Sequence, residues 1–157
     1  GAAKVRKDAV AQPLAFPSVE AFSKYLRKIY ALADREALTA FATHSLRQHV
    51  EGFTLKMDPS FTQALWNPAS NHNDARDLRA PMNEQLWQAM ENLTMPVLVI
   101  RGALSAILSR ETAEKMAHQV LPLGELQTVP VAGHAVMLDN PEGVTELIEK
   151  FLLARSA

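Results

Sequence analysis

The sequence predicts an α/β chain in which a parallel sheet is only partly present and is preceded by a mostly helical region. Three observations carry this. Pro96-Val-Leu-Val-Ile100 followed by Arg101-Gly102 is a continuous aliphatic run bounded by breakers, the pattern of a strand buried on both faces. Residues 95–153 alternate strand, helix, strand, helix, which is a parallel βαβ unit with one further helix. Residues 18–92 read almost entirely helical. Two parallel strands cannot cover both faces of Val97–Ile100, so the chain reads as part of a larger fold.

Length and composition bound the rest. The 157 residues favour one domain, and 16 basic against 17 acidic side chains leave a net charge of −1. That balance excludes a strongly basic nucleic-acid footprint and a polyacidic tail. With 48% apolar residues the chain can build a core. The absence of cysteine excludes disulfides, zinc–thiolate sites, Fe–S clusters and a Cys nucleophile from this chain. No apolar run approaches a membrane span, and Gly1-Ala-Ala-Lys-Val-Arg-Lys-Asp8 has no signal-peptide core. The expectation is a cytoplasmic location. The start at Gly1 rather than Met is read as processed, engineered or truncated.

Along the chain, residues 1–17 hold Pro13 and Pro17 and are expected to be irregular. Ser18 is a candidate N-cap, and Phe22, Tyr25, Leu26, Ile29 and Tyr30 mark one face of a helix. Lys24, Arg27 and Lys28 fall on its solvated face. Asp34 caps a second helix expected over 35–48, with Leu38, Phe41, Ala42, Ser45 and Leu46 at helical spacing. Residues 49–58 read as a short extended segment, and Asp58-Pro59-Ser60 leads to a brief helix ending at Leu65-Trp66. Residues 67–83, rich in Asn, Ser, Asp and Pro, are expected to form a loop. Asn83 caps a helix bearing Leu86, Trp87 and Met90.

After the strand at Val97–Ile100, Ser109 caps a helix carrying Ala113, Met116, Ala117 and Val120, and Leu121-Pro-Leu-Gly124 stops it. Leu126–Val131 is the second strand, followed by Ala132-Gly133-His134. Asn140-Pro141-Glu142 opens the last helix with a cap, a proline at its first position and an acid in its first turn. Val144, Leu147, Ile148, Phe151 and Leu152 form its apolar face.

Two of these segments carry a resemblance. Pro96-Val-Leu-Val-Ile-Arg-Gly-Ala-Leu-Ser105, a helix, and Val129-Pro-Val-Ala-Gly-His-Ala-Val-Met-Leu-Asp-Asn-Pro-Glu142 resemble, in order and spacing, the C-terminal part of the α/β-hydrolase fold. Gly52-Phe-Thr-Leu-Lys-Met-Asp-Pro59 and Leu86-Trp87 resemble the segment joining the family's helical cap to its core. The resemblance implies a helical cap, or lid, over 1–83 and a C-terminal α/β core segment over 84–157. It makes His134 the general base of a serine hydrolase acting on an ester or activated carbonyl, with C–C bond hydrolysis as one subclass. An imidazole suits taking and returning a proton near neutral pH. Gly133 fits a loop that turns sharply after a strand. His44, His49, His72 and His118 lack such context and read as surface or core residues.

Two parts of that machinery are absent from the sequence. Gly-x-Ser-x-Gly, the nucleophile elbow, occurs nowhere. The implied partner is therefore a companion chain or an N-terminal segment bearing it, together with a small-molecule substrate, and neither nucleic acid nor membrane. The family's x-x-Ser-Asp-x-Leu after Arg-Gly reads Ala103-Leu-Ser-Ala-Ile-Leu108, which puts Ala106 in the acid position. Three explanations stand open: an engineered knock-out, a natural non-catalytic member, or another carboxylate serving His134. Ser105 lies in the acid loop, not on an elbow, and is not read as the nucleophile. Asp139 and Glu142 are expected to cap the last helix.

Ile107, Leu108 and Val136 flank the two loops and are the expected pocket neighbours. Phe22, Tyr25, Phe41, Phe61, Trp66 and Trp87 read as core, with Trp66 also a candidate substrate contact. An apolar crevice between cap and core would favour a partly hydrophobic substrate. No metal or organic cofactor is implied. The competing reading is a catalytically inactive protein that keeps the scaffold to bind a ligand or partner.

Overall fold

A computed structural model describes residues 13–58 and 79–155, and of residues 79–82 the backbone alone. The first helix, α1 (Val19–Ile29), starts where its cap dictates: the Ser18 Oγ accepts from the Ala21 N–H at 3.1 Å. Phe22 and Leu26, one turn apart, are buried. Helix α2 (Arg35–Ser45) is opened by the Asp34 carboxylate, which accepts from the Glu36 and Ala37 N–H groups, both at 2.9 Å. Its inward residues are Leu38 and Ala42.

The helix expected to reach residue 48 ends at Ser45. Leu46–His49 is instead strand β2, which turns back as β3 (Gly52–Leu55), and Ala15–Phe16 (β1) pairs with the other edge of β3. The result is an antiparallel sheet of order β1-β3-β2: β3 falls in the segment expected to be extended, β2 mostly where the helix was expected to continue to residue 48, and β1 in the lead-in expected to be irregular. Leu46 reaches the core equally well from a strand, so helical spacing could not tell the two apart. The strand adds pairing with residues 52–55, which local pattern does not register. Gly52 sits at φ 130°, a conformation open to glycine and strained for any other residue.

The brief helix through Trp66 and most of the expected 67–83 loop lie outside the described residues. Residues 79–83 are helical: α3 (Arg79–Glu91) begins before Asn83, which therefore does not cap it. Pro81 lies in the first turn, where its missing N–H needs no partner.

The second half follows its expected order. Strand β4 (Val97–Gly102) lies parallel to β5 (Gly124–Val129), in register from Val97↔Gly124 to Gly102↔Val129. β5 begins and ends two residues earlier than expected, since Pro130 has no N–H to extend the ladder. Between them, Ser109 caps α4 (Arg110–Lys115) through the Thr112 N–H at 3.1 Å. The helix widens in Met116–Val120 into a π turn, where the Leu121 N–H reaches the Met116 carbonyl. A short helix, α5 (Val136–Asp139), precedes α6 (Pro141–Leu153), which Asn140 caps by accepting from the Gly143 N–H at 2.9 Å.

Helices flank both faces of this sheet. Val97 and Val99 pack with Ala113, Ala117 and Leu121 of the α4 side, while Ile100 packs with Val129, Val144 and Leu147 on the α6 side. The expectation of a strand fully buried on both faces is met only at Val99; Val97, Leu98 and Ile100 are half-buried. β4 pairs with β5 along one edge, and no described strand pairs with the other. The architecture is α/β with a parallel sheet between helices. Leu138 ties the N-terminal layers to it: its side chain packs against the Phe22–Leu38 core, and the Asp34 N–H donates to its carbonyl at 2.7 Å.

Candidate active site

The two loops singled out in the sequence leave adjacent carboxyl ends of parallel strands, the usual place for a site in such a sheet. They are joined through backbone. The Ala103 N–H donates to the Val129 carbonyl and the Leu104 N–H to the Ala132 carbonyl, each at 2.9 Å. Gly102 allows this approach, because a Cβ there would overlap the carbonyls of Ala132 and Gly133.

Arg101, at the end of β4, fixes the first loop. Its guanidinium donates to three carbonyls: Leu108 through Nε at 2.9 Å, Ser105 through Nη2 at 3.2 Å, and Ala103 through Nη1 at 3.3 Å. A planar fork of donors suits this better than an ammonium would. Ser105 is buried inside the loop. Its Oγ accepts from the N–H groups of Leu108 at 3.2 Å and Ile107 at 3.4 Å, and lies 3.3 Å from Nδ1 of His134.

The second loop is held by Asp139, whose Oδ2 accepts from the Gly133 N–H at 2.7 Å. Asp139 thus braces the loop bearing His134; it does not cap α6, a role taken by Asn140 alone. Gly133 does not supply the sharp turn. The left-handed residue is Val131 at φ 52°, an uncommon conformation for a β-branched side chain.

The structure therefore brings His134 to the loop of Ala106 through the residue before it. His134 and Ala106 are both exposed. Among the described residues, Ser105 is the hydrogen-bond partner of the imidazole and Nε2 has none. Ile107 is exposed, Leu108 is half-buried against the Val99 core, and Val136 is half-buried against the Val129 core. Trp66 lies outside the described residues. Phe61, also read as core, lies outside them as well. Phe22 and Phe41 line a cavity of about 270 Å³ with Leu26, Ile29, Tyr30 and Met57. Trp87 lies under the Lys115 ammonium, 4.5 Å from the ring centre. A groove of about 690 Å³ on the α4 side is lined by Arg101, Arg110, Glu114, His118, Leu126 and Thr128 among others. His134 lines neither cavity.

Arg101, Ser105 and Asp139 are the contributors that spacing alone missed. Arg101 stood in the sequence only as the end of a strand, and a side chain bonding to carbonyls two, four and seven positions away leaves no periodic trace. Among the described residues no group of three or more His, Asp or Glu could hold a metal ion, and no helix is long and apolar enough to cross a membrane.

No family model matches the chain. Human protein ABHD8 is 36% identical over 81 residues, a segment that is 48% of this chain and 18% of that protein. The crystal structure of E-2-(acetamidomethylene)succinate hydrolase superposes with a TM-score of 0.71 at 23% identity, over 96% of this chain and 50% of that one. An esterase from M. tuberculosis superposes with a TM-score of 0.66 at 19% identity, over 96% of this chain and 47% of its own. The chain spans about half the length of these two solved structures. Over the part it spans, it has the α/β-hydrolase fold, as the Arg101-Gly102 and Gly133-His134 motifs implied.

Proposed function

We propose that this chain forms the cap and C-terminal core segment of a serine-type α/β hydrolase, with the cap over residues 1–83, the core over 84–157 and His134 as general base. The observation that carries the reading is the 3.3 Å contact between His134 Nδ1 and Ser105 Oγ. It shows the loop after β4 in reach of the imidazole nitrogen that a catalytic acid would hold. Ala106 occupies the acid position. The nucleophile belongs to a Gly-x-Ser-x-Gly segment outside this chain. His134 Nε2 would take the serine proton and return it to the leaving group of an ester or activated carbonyl, C–C bond hydrolysis being one subclass. Ile107, Leu108, Val136 and Trp66 would contact the substrate.

One observation favours a second reading. A methyl at Ala106 cannot hold a proton on Nδ1, and the group nearest that nitrogen is a hydroxyl. A scaffold kept for ligand or partner binding would tolerate both. Steady-state hydrolysis of a short aryl ester by the full-length protein separates the readings. His134→Gln is expected to lower kcat by on the order of 10²-fold or more, the scale of acid–base catalysis. An unchanged rate would remove His134 from the mechanism.

A further inference from the structure

The hydroxyl of Ser105 has one proton to donate and two lone pairs to accept with. Both lone pairs are committed, one to the Leu108 N–H at 3.2 Å and one to the Ile107 N–H at 3.4 Å. These donors cannot be exchanged, because the backbone of the loop is itself held by Arg101 at the carbonyls of Ala103, Ser105 and Leu108. Ser105 is buried, so water offers no alternative acceptor for its proton. Among the described residues, the one remaining group within reach is Nδ1 of His134 at 3.3 Å. The Ser105 O–H therefore donates and Nδ1 accepts.

We infer that Ser105 is a positioning residue that holds neutral His134 in the tautomer with its proton on Nε2. Which ring nitrogen carries the proton is set by the bond the other makes. The consequence is specific to this chain. The nitrogen left without a partner among the described residues is a donor, suited to an oxygen acceptor such as a carbonyl or carboxylate of a bound ligand. A general base acting through Nε2 needs the opposite tautomer, with the proton on Nδ1 held by an acceptor. A carboxylate at position 106 would supply that acceptor; the methyl of Ala106 does not. The inference goes beyond the role given to His134 above: with Ala106 in place the neutral ring would have to shift its proton from Nε2 to Nδ1 before Nε2 could serve as the base.

The test reads the ring itself. The full-length protein is labelled with ¹⁵N at histidine, His134 is assigned by loss of its signals in His134→Gln, and long-range ¹H–¹⁵N spectra are recorded at a mildly alkaline pH. The expected result is an unprotonated Nδ1 and a protonated Nε2. Ser105→Ala should raise the fraction protonated at Nδ1 by up to roughly tenfold, the equilibrium equivalent of one ordinary hydrogen bond. Ser105→Thr, which keeps the hydroxyl, should restore the wild-type ratio, and Ala106→Asp should move the proton to Nδ1. A proton on Nδ1 in the wild type would overturn the inference, and so would identical ratios in wild type and Ser105→Ala. The wild-type spectrum decides even if a variant fails to fold. It needs no turnover, so a protein without hydrolytic activity would leave it standing, and a wrong tautomer would leave the ester assay to judge the hydrolase reading.

Discussion

Replacing Gly102 by alanine should separate the two loops at their base. The added Cβ would overlap the carbonyls of Ala132 and Gly133, and neither can rotate away as a side chain could. Overpacking costs about 1–3 kcal/mol where side chains can adjust, and more where backbone must move. Moving apart also strains the Leu104–Ala132 and Ala103–Val129 hydrogen bonds, both at 2.9 Å, each worth about 1 kcal/mol. The expected loss is thus about 3–5 kcal/mol. Urea denaturation of the full-length protein measures it as a lower midpoint with little change in slope. Gly133→Ala is the internal control. Its Cβ would lie 3.0 Å from Asp139 Oδ2, the end of a side chain that can yield, so its loss should stay near 1 kcal/mol. A Gly102→Ala variant as stable as Gly133→Ala would refute the close approach of the two loops.

Other consequences follow from the same elements. Val131→Gly should stabilise the protein by about 1 kcal/mol, because relief of a left-handed valine outweighs the entropy of the added glycine; Val131 is 70% exposed and gives up little burial. A lower Tm would contradict the left-handed backbone. Arg101→Leu should accelerate amide exchange across residues 103–108, since it removes three donors to that loop, and unchanged exchange there would count against the clamp. The Glu125 carboxyl is held below its ordinary pKa by the Gln127 side chain and then by Arg155. A depressed carboxylate stabilises the fold above its ordinary pKa, and that contribution fades as pH falls through the folded value. Wild type should therefore melt above Glu125→Gln at neutral pH, and the gap should close in acid; a gap constant with pH would contradict the pairing.

The sequence made the second half of the chain legible because its elements are punctuated. Pro96, Gly102, Ser109, Pro130 and Asn140-Pro141 each act on their own neighbours, and all five mark the ends of the observed elements within a residue. Gly102 ends β4 itself. The first half resisted where pairing is non-local. Nothing within Leu46–His49 distinguishes a last helical turn from a strand that has found Gly52–Leu55. Asn83 looked like a cap because the pattern could not show that Pro81 tolerates a helix begun earlier. At the site, Gly102 and His134 were visible as types in context. The hydrogen bonds of Arg101, Ser105 and Asp139 were not: those of Arg101 and Asp139 depend on irregular loop conformation, and that of Ser105 to His134 joins positions that only the fold brings together.

The central claim is that the loops after β4 and β5 are the acid and base loops of a hydrolase, with Ala106 where the acid would stand. Steady-state ester hydrolysis by the full-length protein and its Ala106→Asp variant tests it most directly. A carboxylate at 106 would accept the Nδ1 proton, orient the ring and stabilise the imidazolium in the transition state. In the Ser-His-Asp template, impairing that acid costs about 10⁴ in kcat, so restoring it should raise kcat by up to ~10⁴. KM should change little, because the gain exists only in the transition state. Equal kcat values for the two proteins would contradict the account.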